Sequence, residues 1–444
     1  MSAPRLRYEC APLARERDGA LAGRDATVAS SPEVSAQVTR LLARVRAEGD
    51  GALRAFAAEF DGVTLDALEV PRAECRDALA ALAPELRAAL EHAAANIARA
   101  HRAFLPQAVE IEVEPGVRVG RRPEPLARVG VYAPGGRAAY PSSVLMACVP
   151  ARVAGVREIV LCSPPERATG RPSAIVLAAA ELAGATRVFA LGGAGAIGAM
   201  AFGTASVPRV DRIVGPGNAW VAEAKRQVNG VVGIDSPAGP SELLVVADAA
   251  ADPRAVAREL IAQAEHDPDA LSLAVVVGEA AARRVADALL AAAAGCDRRE
   301  IVAASLAARG GVLWAATLEG ALAFASDFAP EHLLLDVEDP AAALAAVRDA
   351  GAVFLGASSS VAFGDYVSGG NHVLPTAGFA RTASGLSTLD FVRWTQWQRV
   401  TPEGAARLAD DCAALARAEG LPGHAAAARG AGGAGSATSK ELHR

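Results

Sequence analysis

The sequence predicts an α/β protein built on parallel sheets with helices on both faces. Three features carry this expectation. The first third is patterned for helices; from residue 129 short apolar, β-branched runs alternate with helix-length stretches; and the strand, helix, strand spacing is that of parallel strands joined by crossovers. At 444 residues and 52% hydrophobic composition the chain can bury a large core, divided over two or three domains.

Taken in order, residues 33–60 and 76–104 place apolar side chains at helical spacing: Val38, Leu41, Leu42 and Val45 in one, Leu79, Leu82, Leu86 and Leu90 in the other. Strands are expected at 129–132, 159–162, 188–191, 213–214, 243–246 and 273–277, with helices at 143–154, 174–184, 218–228, 253–266 and 279–294. Apolar runs at 333–337 and 352–355 continue the pattern, the second ahead of a Ser- and Gly-rich loop. From about Ala425 the chain is rich in Ala and Gly, and disorder is expected from about Gly430.

Composition excludes several function classes. Net charge is only −6 with no dense Lys/Arg block, so neither nucleic acid nor an anionic membrane surface is an expected partner. The six cysteines are scattered without a C-x-x-C pair, which argues against a disulfide framework or a zinc ribbon. The opening Met-Ser-Ala-Pro-Arg-Leu-Arg lacks the apolar core of a signal peptide, and no apolar run approaches membrane-spanning length. A soluble cytoplasmic protein is expected.

The chemistry candidates begin with Gln263 and His266, at the end of the expected helix 253–266. Three residues apart, they share one helix face, and Asp267-Pro268 stops the helix behind them. Alone, such a His reads first as a capping or solvated residue. Pro330-Glu-His-Leu333 sets Glu331 and His332 at the start of a strand; a His beside a carboxylate suits general base work, yet neighbouring strand residues face opposite ways, so only an irregular backbone would bring both to one site. Asp365 follows the 352–355 run, and Glu419 and His424 lie on a short turn near the end. Gln263, His266, Asp365 and His424 together form an N/O donor set suited to zinc or another first-row divalent ion, although no spacing rule links them. Glycine-rich turns follow the expected strands at Pro134-Gly-Gly-Arg137, Gly193-Ala-Gly-Ala-Ile-Gly198 and Gly215-Pro-Gly-Asn218; each reads as a tight turn or as an anion cradle at a helix start. Residues alone thus reach an α/β enzyme with a possible metal.

A longer set of motifs goes further. Tyr132 with Pro134-Gly-Gly136, Tyr140-Pro-Ser-Ser-Val-Leu-Met146, Ala201-Phe-Gly-Thr204, Gly215-Pro-Gly-Asn218, Glu223-Ala-Lys225, Pro237-Ala-Gly-Pro-Ser-Glu242, Gln263-Ala-Glu-His266, Pro330-Glu-His-Leu333, Gly364-Asp-Tyr366 and Asn371-His-Val-Leu-Pro-Thr376 resemble, in order, the histidinol dehydrogenase family. The resemblance spans about residues 30 to 430. It implies two Rossmann-like parallel-sheet domains and a small C-terminal helical arm exchanged between subunits. The borders it suggests are an N-terminal segment 1–30, a first domain of 31–125 with 242–385, a second, nucleotide-side domain of 126–241, an arm of 386–430 and a disordered tail of 431–444.

The same resemblance implies an NAD-dependent, zinc-containing homodimer that oxidises L-histidinol through L-histidinal to L-histidine, the final step of histidine biosynthesis. It implies zinc on Gln263, His266 and Asp365 with His424 from the other subunit, a catalytic pair Glu331 and His332, and substrate contacts from Ser241, Glu419 and the metal-binding set. It implies nucleotide contacts from Tyr132 and Asn218. At the third nucleotide position the family generally carries Gln where this chain has Gly195; that change creates the apparent G-x-G-x-x-G, which is therefore a coincidence. The alternative reading is a related zinc and NAD dehydrogenase acting on another polar alcohol, such as a sulfonated diol. A silent histidine- or zinc-binding protein fits poorly with retention of Glu331 and His332.

Overall fold

Six parallel strands form the first sheet, in the order Tyr8–Pro12, Gly311–Ala315, Leu271–Val277, Glu242–Ala247, His332–Asp336, Ala352–Leu355. The computed structural model describes residues 4–25, 31–135, 139–236 and 239–437. The central strands are apolar along most of their length, apart from Glu242, Ser272, His332 and Asp336, because each side-chain row meets a different helical layer. Leu243 and Val245 pack with Val256, Leu260, Val285 and Leu306; Leu244 and Val246 pack with Leu322, Phe324 and Phe328.

The second sheet runs Glu69–Val70, Arg187–Ala190, Glu158–Ser163, Arg128–Tyr132, Arg212–Val214, Gly233–Ile234, parallel except for its first strand. Starting from Arg128–Tyr132, the chain moves outward through two strands and then returns to place Arg212–Val214 on the other side. The order reverses between those two neighbours, which is where doubly wound sheets open a ligand crevice at their carboxyl ends.

The chain divides into two compact units, Met1–Phe104 with Leu126–Phe391, and Leu105–Pro125 with Val392–Arg444. Both parallel sheets belong to the first unit. The second contains an antiparallel sheet, Val392–Val400, Val117–Pro125 and Val109–Glu114 in that order, and the helices Pro402–Ala418 and Pro422–Ala437. Among the described residues no helix is long and apolar enough to cross a membrane.

Four of the expected segments take these places in the fold. Within the first unit, which holds both 31–104 and 242–385, Glu69–Val70 pairs with Arg187–Ala190, and the helices Pro32–Glu48, Arg72–Ala80 and Pro84–Ala103 pack on helices of the second sheet. Within the expected N-terminal segment, Tyr8–Pro12 extends the first sheet and Leu13 and Ala20 enter its core. Residues 105–125 join the C-terminal segment through the pairing of Val117–Pro125 with Val392–Val400. The expected disorder from Gly430 gives way to helix as far as Ala437; a Cβ at Gly432 would come within 2.6 Å of Ala409 Cβ, so the small residues let two helices approach closely. Residues 438–444 of the expected tail lie outside the described residues.

Candidate active site

The first sheet carries a buried acid and imidazole at the amino ends of two neighbouring strands. Glu331 and His332 are 6% and 4% exposed. Glu331 lies in the bend just before the strand that starts at His332, and two residues ahead of it Ala329 caps a helix with φ 47°. Glu331 Oε2 accepts from Ser241 Oγ at 2.8 Å and from the Glu242 amide at 2.7 Å. His332 Nδ1 lies 3.0 Å from the Glu242 carbonyl, which fixes the proton on Nδ1; the buried Nε2 makes no hydrogen bond and faces Asp365 Oδ1 at 3.5 Å. Burial pulls the imidazole pKa down, but the Glu331 and Asp365 carboxylates outweigh it and hold His332 well above the ordinary histidine value.

Asp365 sits on the short helix Val361–Tyr366, with its side chain 15% exposed. Burial pushes its carboxyl up, yet His332, His372 and His266 together hold it below the usual carboxylate range. Gln263 occupies the last turn of the helix Pro253–Ala264, which Asp252 caps by accepting from the Arg254 amide and which Pro253 opens. Its amide Nε2 is buried without a hydrogen-bond partner. His266 follows the helix; its Nδ1 lies 2.9 Å from the Ala262 carbonyl, so Nε2 keeps its lone pair available as a ligand.

The first unit thus brings Ser241, Glu331, His332 and Asp365 together, with the His266 charge acting on the Asp365 carboxylate and Gln263 three residues before His266 at the helix end. Glu419 and His424 belong to the second unit, where both are exposed. Among the described residues no single-chain cluster of three or more His, Cys, Asp or Glu could hold a metal.

Two residues of this site escaped the sequence reading. His372 donates from Nδ1 to the Asp365 carbonyl at 2.9 Å and receives the Ser143 hydroxyl on Nε2 at 3.2 Å; burial lowers its pKa. Its place in the Gly369-Gly-Asn-His372 turn, seven residues after Asp365, is the only signal for it. Glu242, at the start of its strand, contacts Glu331 across 89 residues of chain, and nothing local announces that.

At the carboxyl ends of the second sheet, Tyr132 ends its strand and accepts from the Gly193 amide at 3.1 Å, its phenol pushed up to about 12 by burial. Gly215 faces it across the switch point. With φ +117° and a would-be Cβ 2.1 Å from the Tyr132 carbonyl oxygen, only glycine fits. Its amide donates to Asp235 Oδ2 at 2.7 Å, its carbonyl accepts from Lys225 Nζ at 3.0 Å, and Lys225 and Asp235 form a buried ion pair. Asn218 caps the helix Ala219–Val228 through Oδ1, at 3.1 and 3.2 Å from two backbone nitrogens. Gly195 lies inside the helix Gly193–Phe202, where a Cβ would stand 2.9 Å from the Phe56 ring; this glycine is explained by packing on Phe56 and Leu53.

A doubly wound sheet with glycine turns at its switch point, beside a second sheet carrying a buried imidazole between two carboxylates, defines an α/β dehydrogenase. The family model for histidinol dehydrogenase matches residues 24–430, and the chain belongs to that family of NAD-dependent oxidoreductases. The histidinol dehydrogenase of Halobacterium salinarum is 48% identical over 423 residues, 95% of this chain and 98% of its own. That of Methanosarcina mazei is 48% identical over 394 residues, 88% and 90% of the two chains. The crystal structure of histidinol dehydrogenase from Elizabethkingia anophelis matches with a TM-score of 0.91 at 33% identity, covering 97% of this chain and 99% of that one. Relatives of this name over nearly the whole length do not favour the alternative of another polar alcohol.

Proposed function

We propose that the chain oxidises L-histidinol to L-histidine in two hydride transfers to NAD, in the cytoplasm, at a site shared across a homodimer. The observation that carries the residue assignment is the buried His332, oriented by a main-chain carbonyl and left with one free ring nitrogen between two carboxylates. Once Nε2 has shed the proton that the two carboxylates favour, His332 receives the alcohol proton as the first hydride leaves the carbinol carbon, giving aldehyde and NADH with the proton on the imidazole. Glu331, held by Ser241 and the Glu242 amide, draws a proton from the water that adds to the aldehyde carbon, while the proton on His332 passes to the aldehyde oxygen, giving the hydrate and freeing the imidazole. His332 then takes one hydroxyl proton of the hydrate as the second hydride departs, giving a second NADH and the carboxylic acid, which releases its remaining proton to water as the carboxylate.

The donors available suit zinc: an ionised Asp365, a His266 nitrogen with its lone pair free, and a buried Gln263 amide without a partner in the protein. Gln263, His266 and Asp365, with His424 of the partner subunit, would hold the ion, which would supply a charge that fixes the imidazole and amino groups of histidinol. Ser241 and Glu419 complete the substrate contacts, and Tyr132 and Asn218 meet the nucleotide. Gly195 has no side chain to offer NAD, so the grip rests on the other two.

The test is NADH formed per L-histidinol consumed, before and after chelation and zinc return. Two NADH, lost on chelation and regained with zinc, is the expected result. One NADH per histidinol would remove the assigned second step, and activity indifferent to chelation would remove the metal.

A further inference from the structure

We propose that Glu242 is a positioning residue for the second half of the reaction: its carboxylate, tied to the main chain of Glu331 across two neighbouring strands, holds the Glu331 carboxylate where it meets water. This rests on the reading above that Glu331 prepares the water for aldehyde hydration.

The geometry is reciprocal. The Glu242 amide donates to Glu331 Oε2 at 2.7 Å, and the Glu331 amide donates to Glu242 Oε2 at 3.4 Å. The other oxygen, Oε1, accepts from the Ala377 amide at 2.9 Å. Ala377 holds φ 54°, a conformation a non-glycine residue adopts only when its surroundings impose it. Two backbone donors thus converge on two oxygens of one side chain that is 2% exposed. Only an acceptor-only carboxylate satisfies both, since the amide of glutamine would turn an N–H toward one of the donors.

Keeping a second carboxylate beside Glu331 is costly. Burial, then the Glu331 charge, push Glu242 up to about 7, opposed by the Ala377 amide and by Arg24 at the end of the helix Leu13–Asp25. The charged and titratable groups around it are Glu331 and His332 from the neighbouring strand and Arg24 from that helix; the turn at 377 offers main-chain N–H. A group so costly to bury, with both oxygens aimed at the catalytic strand and its bordering turn, has its use in the reaction. His332 is held by the carbonyl of Glu242, which a side-chain change leaves in place. Effects of the side chain therefore reach Glu331 before His332.

The experiment measures histidinol oxidation to the aldehyde and histidinal oxidation to the acid separately, in wild type, Glu242→Gln and Glu331→Gln, through pH 7. His332 serves both steps and cancels in their ratio. In wild type the ratio of the second rate to the first should rise as Glu242 ionises. In Glu242→Gln that rise should be absent, with histidinal oxidation down about tenfold or more and histidinol oxidation nearly unchanged. A Glu242→Gln ratio matching wild type at every pH, or equal loss of both steps, overturns the proposal. If Glu242→Gln does not fold, the wild-type profile decides: a ratio flat through pH 7 overturns it. Should Glu331→Gln slow both steps alike, the reading of Glu331 fails and the role of Glu242 falls with it.

Discussion

Glu331 accepts from a hydroxyl and a backbone amide on one oxygen while His332 Nδ1 donates to a carbonyl, so both side chains proposed for the reaction are held in fixed orientations. Fixed orientation separates their tasks. Glu331→Gln should spare oxidation to the aldehyde and slow aldehyde oxidation by about 10²-fold or more, the usual scale of a lost general base. Stopped-flow NADH traces with histidinol and with histidinal resolve the two, and equal losses would contradict the division. Glu242 makes a second prediction, on stability. Its carboxyl is raised from the ordinary 4.5 to about 7, by burial first and Glu331 second, so the native chain keeps a proton that the unfolded chain has released. Stability should therefore fall as pH rises from 4.5 through 7, by on the order of 1–3 kcal/mol, and Glu242→Gln should lack that share of the dependence. Urea midpoints across the window test this; parallel slopes for the two proteins would refute it.

Turns and helix ends carry the site at the next scale. The helix Pro253–Ala264 stops two residues before His266, and that placement sends Gln263 inward while His266 stands at the edge. On the second sheet the Gly215 turn is held from three sides, by Asp235 on its amide, Lys225 on its carbonyl and the Tyr132 main chain against its Cα. Gly215→Ala would put a methyl group 2.1 Å from a carbonyl oxygen at φ +117°. A loss of stability on the order of 1–3 kcal/mol is expected, together with a raised KM for NAD and an unchanged KM for histidinol. Chemical denaturation and steady-state kinetics check both parts; a raised KM for histidinol alone would place the nucleotide elsewhere. The two ends of the two sheets differ in use. The proposed nucleotide residues follow the usual carboxyl-end rule, whereas the acid and imidazole sit at amino ends, where the turns at Ala329 and Ala377 reshape the backbone.

For the whole molecule, the proposed metal set draws on both compact units, with Gln263, His266 and Asp365 in one and His424 in the other. If His424 acts in the partner's site, His424→Phe and Asp365→Ala should each be inactive alone, and a mixture dissociated and reassociated should regain up to about a quarter of wild-type activity, the statistical share of intact sites. Two folded, dimerising variants that fail to complement would contradict the shared site. By itself the sequence determined the strands at 129–132, 159–162, 243–246 and 273–277 and the helices between them, because elements buried on both faces write continuous apolar or 3.6-period patterns into local sequence. The sequence also expects Gln263 and His266 on one helix face, but the helix ends at Ala264, so His266 lies beyond it and the spacing alone did not place the two side chains. Only tertiary structure decided that Tyr8–Pro12 completes the first sheet, that Glu69–Val70 edges the second, and that Val117–Pro125 pairs with Val392–Val400. These are edge or half-exposed strands whose partners lie far along the chain, and strand pairing leaves no local periodicity to read. Glu242 and His372 were hidden for the same reason: their roles come from neighbours set beside them by folding, and a lone Glu before a strand or a lone His in a turn carries no sign of what it will touch.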